Sequence, residues 1–281
     1  MYSRKKGRFA QLLKKCAKMS KIAGEKMKKV NILALGNSFS QDCMSHVYGI
    51  LKSLGVEDIQ LGNLVIGGCS LETHCNNLRG DLPAYDYESN DKGVWEYAKE
   101  YKVSDALALK KWDFIFTQQY SGHSGMAETY APLDEVLAYF KNNAKGNPKY
   151  GWQMTWAYAQ DSQHPAFVDY GNSQQQMYES IVNAVQKVIL PKGLTVIPSG
   201  TAVENGRVAF GESLTRDTFH LSLDLGRYIA GLCVVKALVG LDIDNVTFAP
   251  EGVTDEQRKM AIAVANAACE KPFERTDINN K

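Results

Sequence analysis

The chain reads as an α/β protein: a three-layer α/β/α sandwich around a doubly wound, mostly parallel sheet of five strands. Three observations predict this. Short apolar runs rich in β-branched and aromatic residues alternate with longer segments of helical pattern, as strand–helix–strand units do. Right-handed crossovers and short connections leave a doubly wound sheet as the economical topology. At 281 residues, 44% hydrophobic and 22% charged, the chain has ordinary globular composition and enough length for a sizeable core without staples.

The strands are expected at Val30–Leu35, Ile59–Ile66, Phe114–Gln118, Tyr150–Thr155 and Leu194–Ile197, each a short β-rich run. Helices are expected at Ser45–Leu54, Val94–Lys111, Ala131–Asn142, Gln174–Val188 and Leu223–Val239, in the intervals between strands and after the last. A further helix start lies at Thr254-Asp255-Glu256, within Pro250–Ala268. The segment Gly80–Gly93, rich in Asp, Tyr, Pro and Asn, reads as a surface excursion. No internal repeat or long linker divides the chain. The expected organisation is a basic extension over residues 1–29, one catalytic domain over 30–272 and a polar tail over 273–281.

The formal net charge of +1 conceals a split. Residues 1–30 hold eleven of the 32 Lys and Arg and one of the 31 acidic residues, so the body is acidic and the tail basic. Phe9, Leu12, Leu13, Cys16 and Ile22 stand at roughly helical spacing among the lysines, but they fill an apolar face weakly. A solvated extension is therefore expected, without membrane-surface contact, and its apolar stretches are too short for a secretory signal. Tyr228–Leu241, interrupted by Lys236, is too short to span a bilayer. A cytoplasmic location with reduced thiols follows as the expectation, since the six scattered cysteines form no CxxC pair.

Two short segments carry the chemistry. Gly36-Asn37-Ser38-Phe39 follows the first apolar run; Gly36 allows a tight turn from strand into helix that lifts the Ser38 hydroxyl to the carboxyl edge of the sheet. The same turn leaves the Ser38 N–H free to face a developing oxyanion. Asp217-Thr218-Phe219-His220 places a carboxylate three residues before a histidine, so that Asp217 can accept Nδ1–H while Nε2 faces Ser38. Alone, the first segment would be a helix N-cap and the second weak. Together they supply nucleophile, base and orienting acid. The GxSxG elbow of α/β-hydrolases is missing, because Ser40 stands where its second glycine would be.

These segments, with Gly67-Gly68-Cys69-Ser70 and Thr117-Gln118-Gln119, resemble the ordered blocks of the SGNH or GDSL hydrolase superfamily over about residues 30–240. More narrowly the chain resembles a bacterial branch whose first block reads GNSFS, related to carbohydrate O-acetylesterases. The resemblance implies a flavodoxin-like fold, Ser38 as nucleophile, Asp217 and His220 as its partners, and an oxyanion N–H from Gly68. Two departures stand out. Asn37 and Phe39 replace the usual Asp and Leu of the first block, and the asparagine of the third block is absent. Gln118 or Gln119 is the expected replacement, because a carboxamide N–H donates as asparagine does.

Aromatic faces stack on pyranose rings, so Trp156, Tyr158 and Tyr120, each beyond a strand end, are candidates for a sugar-binding pocket; Trp152 is expected in the core. His123 and Ser124 follow Tyr120. His46 and His164 have no partner at a suggestive spacing and read as surface or capping residues. The cluster Cys69, His74 and Cys75 matches no common zinc spacing and lacks a fourth ligand, so no metal is expected.

The sequence thus points to a serine esterase acting on a small-molecule or carbohydrate ester, most simply an O-acetyl group, with no cofactor and no nucleic-acid partner. Oligomeric state is left open. The alternatives are a glycan-binding module on the same fold, a lipase- or thioesterase-type hydrolase, and a flavodoxin-like nucleotide binder with phosphate at the Gly36–Ser40 loop. The last suffers from a loop with one glycine and no GxGxxG or GxxxxGK[ST] pattern.

Overall fold

A computed structural model describes residues 27–278. The basic extension expected over residues 1–29 falls outside the described residues up to residue 26, as do residues 279–281 of the C-terminal tail. The sheet has seven strands: β1 (Lys29–Gly36), β2 (Asp58–Val65), β3 (Tyr85–Asn90), β4 (Glu96–Tyr101), β5 (Phe114–Thr117), β6 (Lys149–Gln153) and β7 (Thr195–Ile197). Their spatial order is β4-β3-β2-β1-β5-β6-β7, parallel from β2 through β7 and antiparallel at β3 and β4. Helices flank the sheet, and the α/β/α sandwich holds. The five-strand expectation is corrected to seven.

Both extra strands come from the stretch read as a surface excursion followed by a helix. Tyr85 and Tyr87 alternate along β3 toward the core, which is strand periodicity written in a mostly polar segment. The residues of β4, Glu96-Tyr97-Ala98-Lys99-Glu100-Tyr101, have helical composition, but pairing of Tyr87 with Ala98 and Glu88 with Tyr97 overrides that weak preference. β4 is the sheet edge, exposed along most of its length and carrying charges that discourage further pairing. Of the helix expected at Val94–Lys111, Val103–Leu109 remains.

The helices are α1 (Ser38–Met44), α2 (Val47–Ser53), α3 (Leu71–Arg79), α4 (Val103–Leu109), α5 (Leu133–Asn143), α6 (Gln174–Ala184), α7 (Ser199–Phe210), α8 (Leu225–Cys233) and α9 (Asp255–Glu270). Both α6 and α8 run on into π-helical turns, Val185–Ile189 and Val234–Val239. α1 packs on α8, which also contacts α2, α7 and α9; α3 and α4 pack against α5. The helix expected at Ser45–Leu54 is α2, Val47–Ser53, and α1 precedes it across a turn at Ser45-His46; α3 and α7 were given no bounds in the sequence. A capping box at Thr254 and Gln257 opens α9. No described helix is long and apolar enough to cross a membrane.

One feature of this order positions the site. From β1 the chain crosses to β2 on one side, and later to β5 on the other, so the carboxyl end of β1 is a switch point with a crevice above it. Gly36 pairs in register with Val65, and Leu35 with Thr117, so the loops after β1, β2 and β5 leave the sheet side by side.

Candidate active site

Ser38 is the first residue of α1, two residues past the end of β1. The turn is tight because Gly36 has no side chain: a Cβ there would come within 2.7 Å of Ser40 Oγ. Asn37 caps the helix, its Oδ1 accepting the Phe39 N–H at 2.9 Å. The same Oδ1 accepts from Gln118 Nε2 at 2.7 Å, and Asn37 Nδ2 donates to the Cys69 carbonyl at 3.1 Å. Asn37 therefore knits together the three loops that leave β1, β2 and β5.

The Asp217–His220 loop closes over Ser38 from the C-terminal half of the chain. Asp217 Oδ2 lies 2.7 Å from His220 Nδ1, Asp217 Oδ1 accepts the His220 backbone N–H at 2.7 Å, and His220 Nε2 lies 2.8 Å from Ser38 Oγ. Burial works to raise the Asp217 carboxyl, but the His220 ring and the His220 and Phe219 N–H groups outweigh it and hold the pKa below the ordinary value. An ionised Asp217 accepts only, so the ring proton sits on Nδ1 and Nε2 is left to accept from the Ser38 hydroxyl.

Two devices hold this loop in place. Thr218 adopts φ +73°, uncommon for a β-branched residue, and there its carbonyl accepts the Ala159 N–H at 2.7 Å while its hydroxyl donates to Ser162 Oγ at 3.0 Å. Asp42, fully buried one turn after Ser38 on α1, accepts from Leu221 N at 2.8 Å, Arg227 Nε at 2.8 Å and Arg216 Nη1 at 3.2 Å. Sequence reading passed over Asp42. The available signal was an acidic residue four positions after Ser38, one helical turn on, just before Cys43 and Met44.

Ser38 and His220 open into a cleft of about 360 Å³, also bordered by Gly67, Gly68, Tyr120 and Phe219. Gly68 has φ +63°, and a Cβ on it or on Gly67 would meet nothing within 4 Å, so the β2 loop borders open space. Neither the Ser38 nor the Gly68 backbone N–H donates to any described residue. Both remain available to an oxyanion.

The expected carboxamide donors are not. Gln118 Nε2 is committed to Asn37, and its Oε1 is buried without a partner among the described residues. Gln119 Nε2 donates to the Thr129 carbonyl and hydroxyl, while its Oε1 accepts from Leu71 N and Tyr120 N. Both glutamines brace loops; neither faces the cleft. The expectation of Gln118 or Gln119 in the oxyanion hole is therefore corrected.

The pocket candidates divide in the same way. Tyr120 lines the cleft. Trp156 is fully buried, stacked on Phe39 with centroids 4.3 Å apart, and donates from Nε1 to the Phe219 carbonyl at 2.7 Å. Tyr158 is also fully buried, its hydroxyl 2.8 Å from Ser121 Oγ. These two rings form the floor behind the cleft and offer no face to a sugar, which corrects their assignment. Trp152 is in the core. His164, read as a surface or capping residue, caps the turn Pro165–Tyr170 and also lines the cleft. Cys69 Sγ lies 3.4 Å from His74 Nδ1, but Cys75 turns away from the pair, and no group of three His, Cys, Asp or Glu among the described residues could hold a metal ion. His74 Nδ1 also lies 3.0 Å from Tyr85 Oη, and Cys75 donates to the Pro132 carbonyl.

The model of the family described as "Domain of unknown function (DUF4886)" matches residues 31–268, and the chain belongs to that family. A DUF4886 family protein from Bacteroides uniformis ATCC 8492, known from a crystal structure, is 35% identical and superposes with a TM-score of 0.86 over 90% of this chain and 99% of its own. A variant of an acetyl-xylooligosaccharide esterase from Geobacillus stearothermophilus is 13% identical, with a TM-score of 0.51 over 78% of this chain and 98% of its own. A catalytic variant of the same acetylxylan esterase gives 12% and 0.50, over 80% of this chain and 97% of its own. At such identity the likeness speaks to the fold alone, an α/β/α sandwich around a mostly parallel sheet. No curated protein matches the sequence.

Proposed function

We propose that this DUF4886 family member is a serine esterase that releases acetate from an O-acetylated carbohydrate. The observation that carries the reading is the continuous line of hydrogen bonds Asp217–His220–Ser38, ending in a cleft beside two uncommitted backbone N–H groups. Acetyl and carbohydrate rest on analogy with the acetylxylan esterase that shares the fold.

Ser38 Oγ attacks the ester carbonyl carbon as His220 Nε2 takes its proton, and the negative charge moves to the carbonyl oxygen facing the Ser38 and Gly68 N–H groups. Collapse breaks the bond to the alcohol oxygen, which leaves with the proton from His220. Water then attacks the acetyl-serine with His220 again as base, giving acetate and free Ser38. Asp217 holds the ring and stabilises the imidazolium throughout.

A second reading, a glycan-binding module on this scaffold, is favoured by one observation: with both glutamines turned away, the hole has backbone donors alone. Hydrolysis of p-nitrophenyl acetate separates the two. The esterase requires turnover that falls at least about 10³-fold in Ser38→Ala and His220→Ala. Equal background rates in all three proteins, with saccharide binding retained, would establish the binding module instead.

A further inference from the structure

The esterase chemistry uses Ser38, His220 and two backbone N–H groups, and Ser121 Oγ is committed to Tyr158. Two polar groups on the cleft wall are left over, the Tyr120 hydroxyl and His164 Nε2. Their orientation is fixed from behind. The Ala166 N–H donates to His164 Nδ1 at 3.2 Å, so Nδ1 is an acceptor and the ring proton sits on Nε2. Burial, with the nearby His220 ring adding to it, pushes the His164 pKa below its ordinary value, which keeps the ring in this neutral form.

The ring itself is wedged. Tyr158 packs against it at 4.6 Å and Phe219 at 5.0 Å between centroids. Nε2 stands 3.4 Å from the Tyr120 oxygen, a long contact that occupies the phenol as acceptor at most and leaves its own O–H proton to donate. Tyr120 is held by its backbone N–H on Gln119 Oε1 and by an edge contact with His123.

The side of the cleft matters. Gly67 and Gly68 border the oxyanion side, whereas His164 is separated from His220 by the single ring of Phe219, 4.1 Å from His220. His220 delivers its proton to the departing alcohol, so the wall next to it faces that alcohol. We propose that Tyr120 and His164 form a leaving-group subsite that selects esters of polyols: the Tyr120 O–H donates to a free hydroxyl oxygen vicinal to the esterified one, as on a partly acetylated pyranose, while His164 Nε2–H holds the phenol from behind, the phenol oxygen accepting. This rests on the esterase reading and names the chemistry of its alcohol.

The test compares 2-hydroxyethyl acetate with propyl acetate, two esters of similar size that differ in one hydroxyl next to the ester. The ratio of their kcat/KM values reads the subsite directly. The wild-type protein should favour the hydroxylated ester, and Tyr120→Phe and His164→Phe should each lower the ratio by about three- to tenfold, the worth of one neutral hydrogen bond. Tyr120→Phe keeps the ring and leaves the His164 cap untouched, so it stands if His164→Phe fails to fold. A wild-type ratio near one, or a ratio unchanged in Tyr120→Phe, overturns the subsite while leaving the esterase standing. Hydrolysis of neither ester by the wild-type protein overturns both.

Discussion

The carboxylate of Asp42 accepts the Leu221 N–H at 2.8 Å, and so ties the helix that begins with Ser38 to the residue that follows His220. Ser38 and His220 stand on segments far apart in sequence, and this one buried acid ties those segments together.

Replacing Asp42 tests that role. Asp42→Ala strands Arg216 and Arg227 against a buried hole and should cost about 3 kcal/mol, read from denaturant unfolding. Asp42→Asn keeps a carbonyl oxygen for Leu221 but loses the charge that holds both arginines. It should fold, with kcat lowered by up to about 10²-fold and KM little changed, because a small displacement of His220 is felt in the chemical step. A wild-type kcat in Asp42→Asn would remove Asp42 from the positioning machinery.

The glutamines give a second test. A side-chain donor to the oxyanion is worth about 10²- to 10³-fold in rate. Because Gln118 reaches Asn37 instead, Gln118→Met should lower kcat by less than about tenfold. A loss in the hundreds would mean that the carboxamide swings into the cleft during turnover.

Thr218 predicts a reversal of sign. Glycine is ordinarily less stabilising than alanine, but at φ +73° the Cβ is itself a burden. Thr218→Ala loses the bond to Ser162 and keeps the burden; Thr218→Gly loses the bond and sheds it. The glycine variant should therefore be more stable than the alanine variant by roughly 1 kcal/mol in urea unfolding. The usual order, alanine above glycine, would contradict a strained loop.

His74 sets a pH dependence. It is fully buried, its Nε2 has no partner among the described residues, and burial lowers its pKa to about 3. As pH falls below the ordinary value of 6.5 the unfolded chain takes up a proton that the folded one refuses until about 3. Stability should therefore drop with falling pH across that window, by up to about 1.4 kcal/mol per pH unit from this group. In His74→Leu the slope between pH 6 and pH 4 should be shallower by about that amount. Equal slopes in urea titrations of the two proteins would show that the ring protonates in place.

The parallel part of the sheet was legible because β1, β2, β5 and β7 are rich in Val, Ile, Leu or Phe, β6 carries Tyr150 and Trp152, and their order along the chain implied crossovers. β3 and β4 were not: Tyr85 and Tyr87 bury themselves within a polar run, and the residues of β4 have helical composition that only pairing with β3 overrules. At the site, Ser38, Asp217 and His220 could be found from local spacing, since a tight turn and a three-residue offset are properties of short segments. The glutamines could not. Which way a carboxamide turns depends on partners such as Asn37 and Thr129, and no spacing encodes those. His164 likewise caps its own turn by a local rule, and reaches the cleft only through the fold.

Every charged or backbone partner of Asp42 (Arg216, Leu221 and Arg227) lies close to His220 in sequence. A nascent chain that has not yet reached Arg216 holds Ser38 without its histidine partner and an acid without its cations. The helix carrying Ser38 cannot settle its buried charge, and the cleft stays unformed, until one late stretch of synthesis delivers both together.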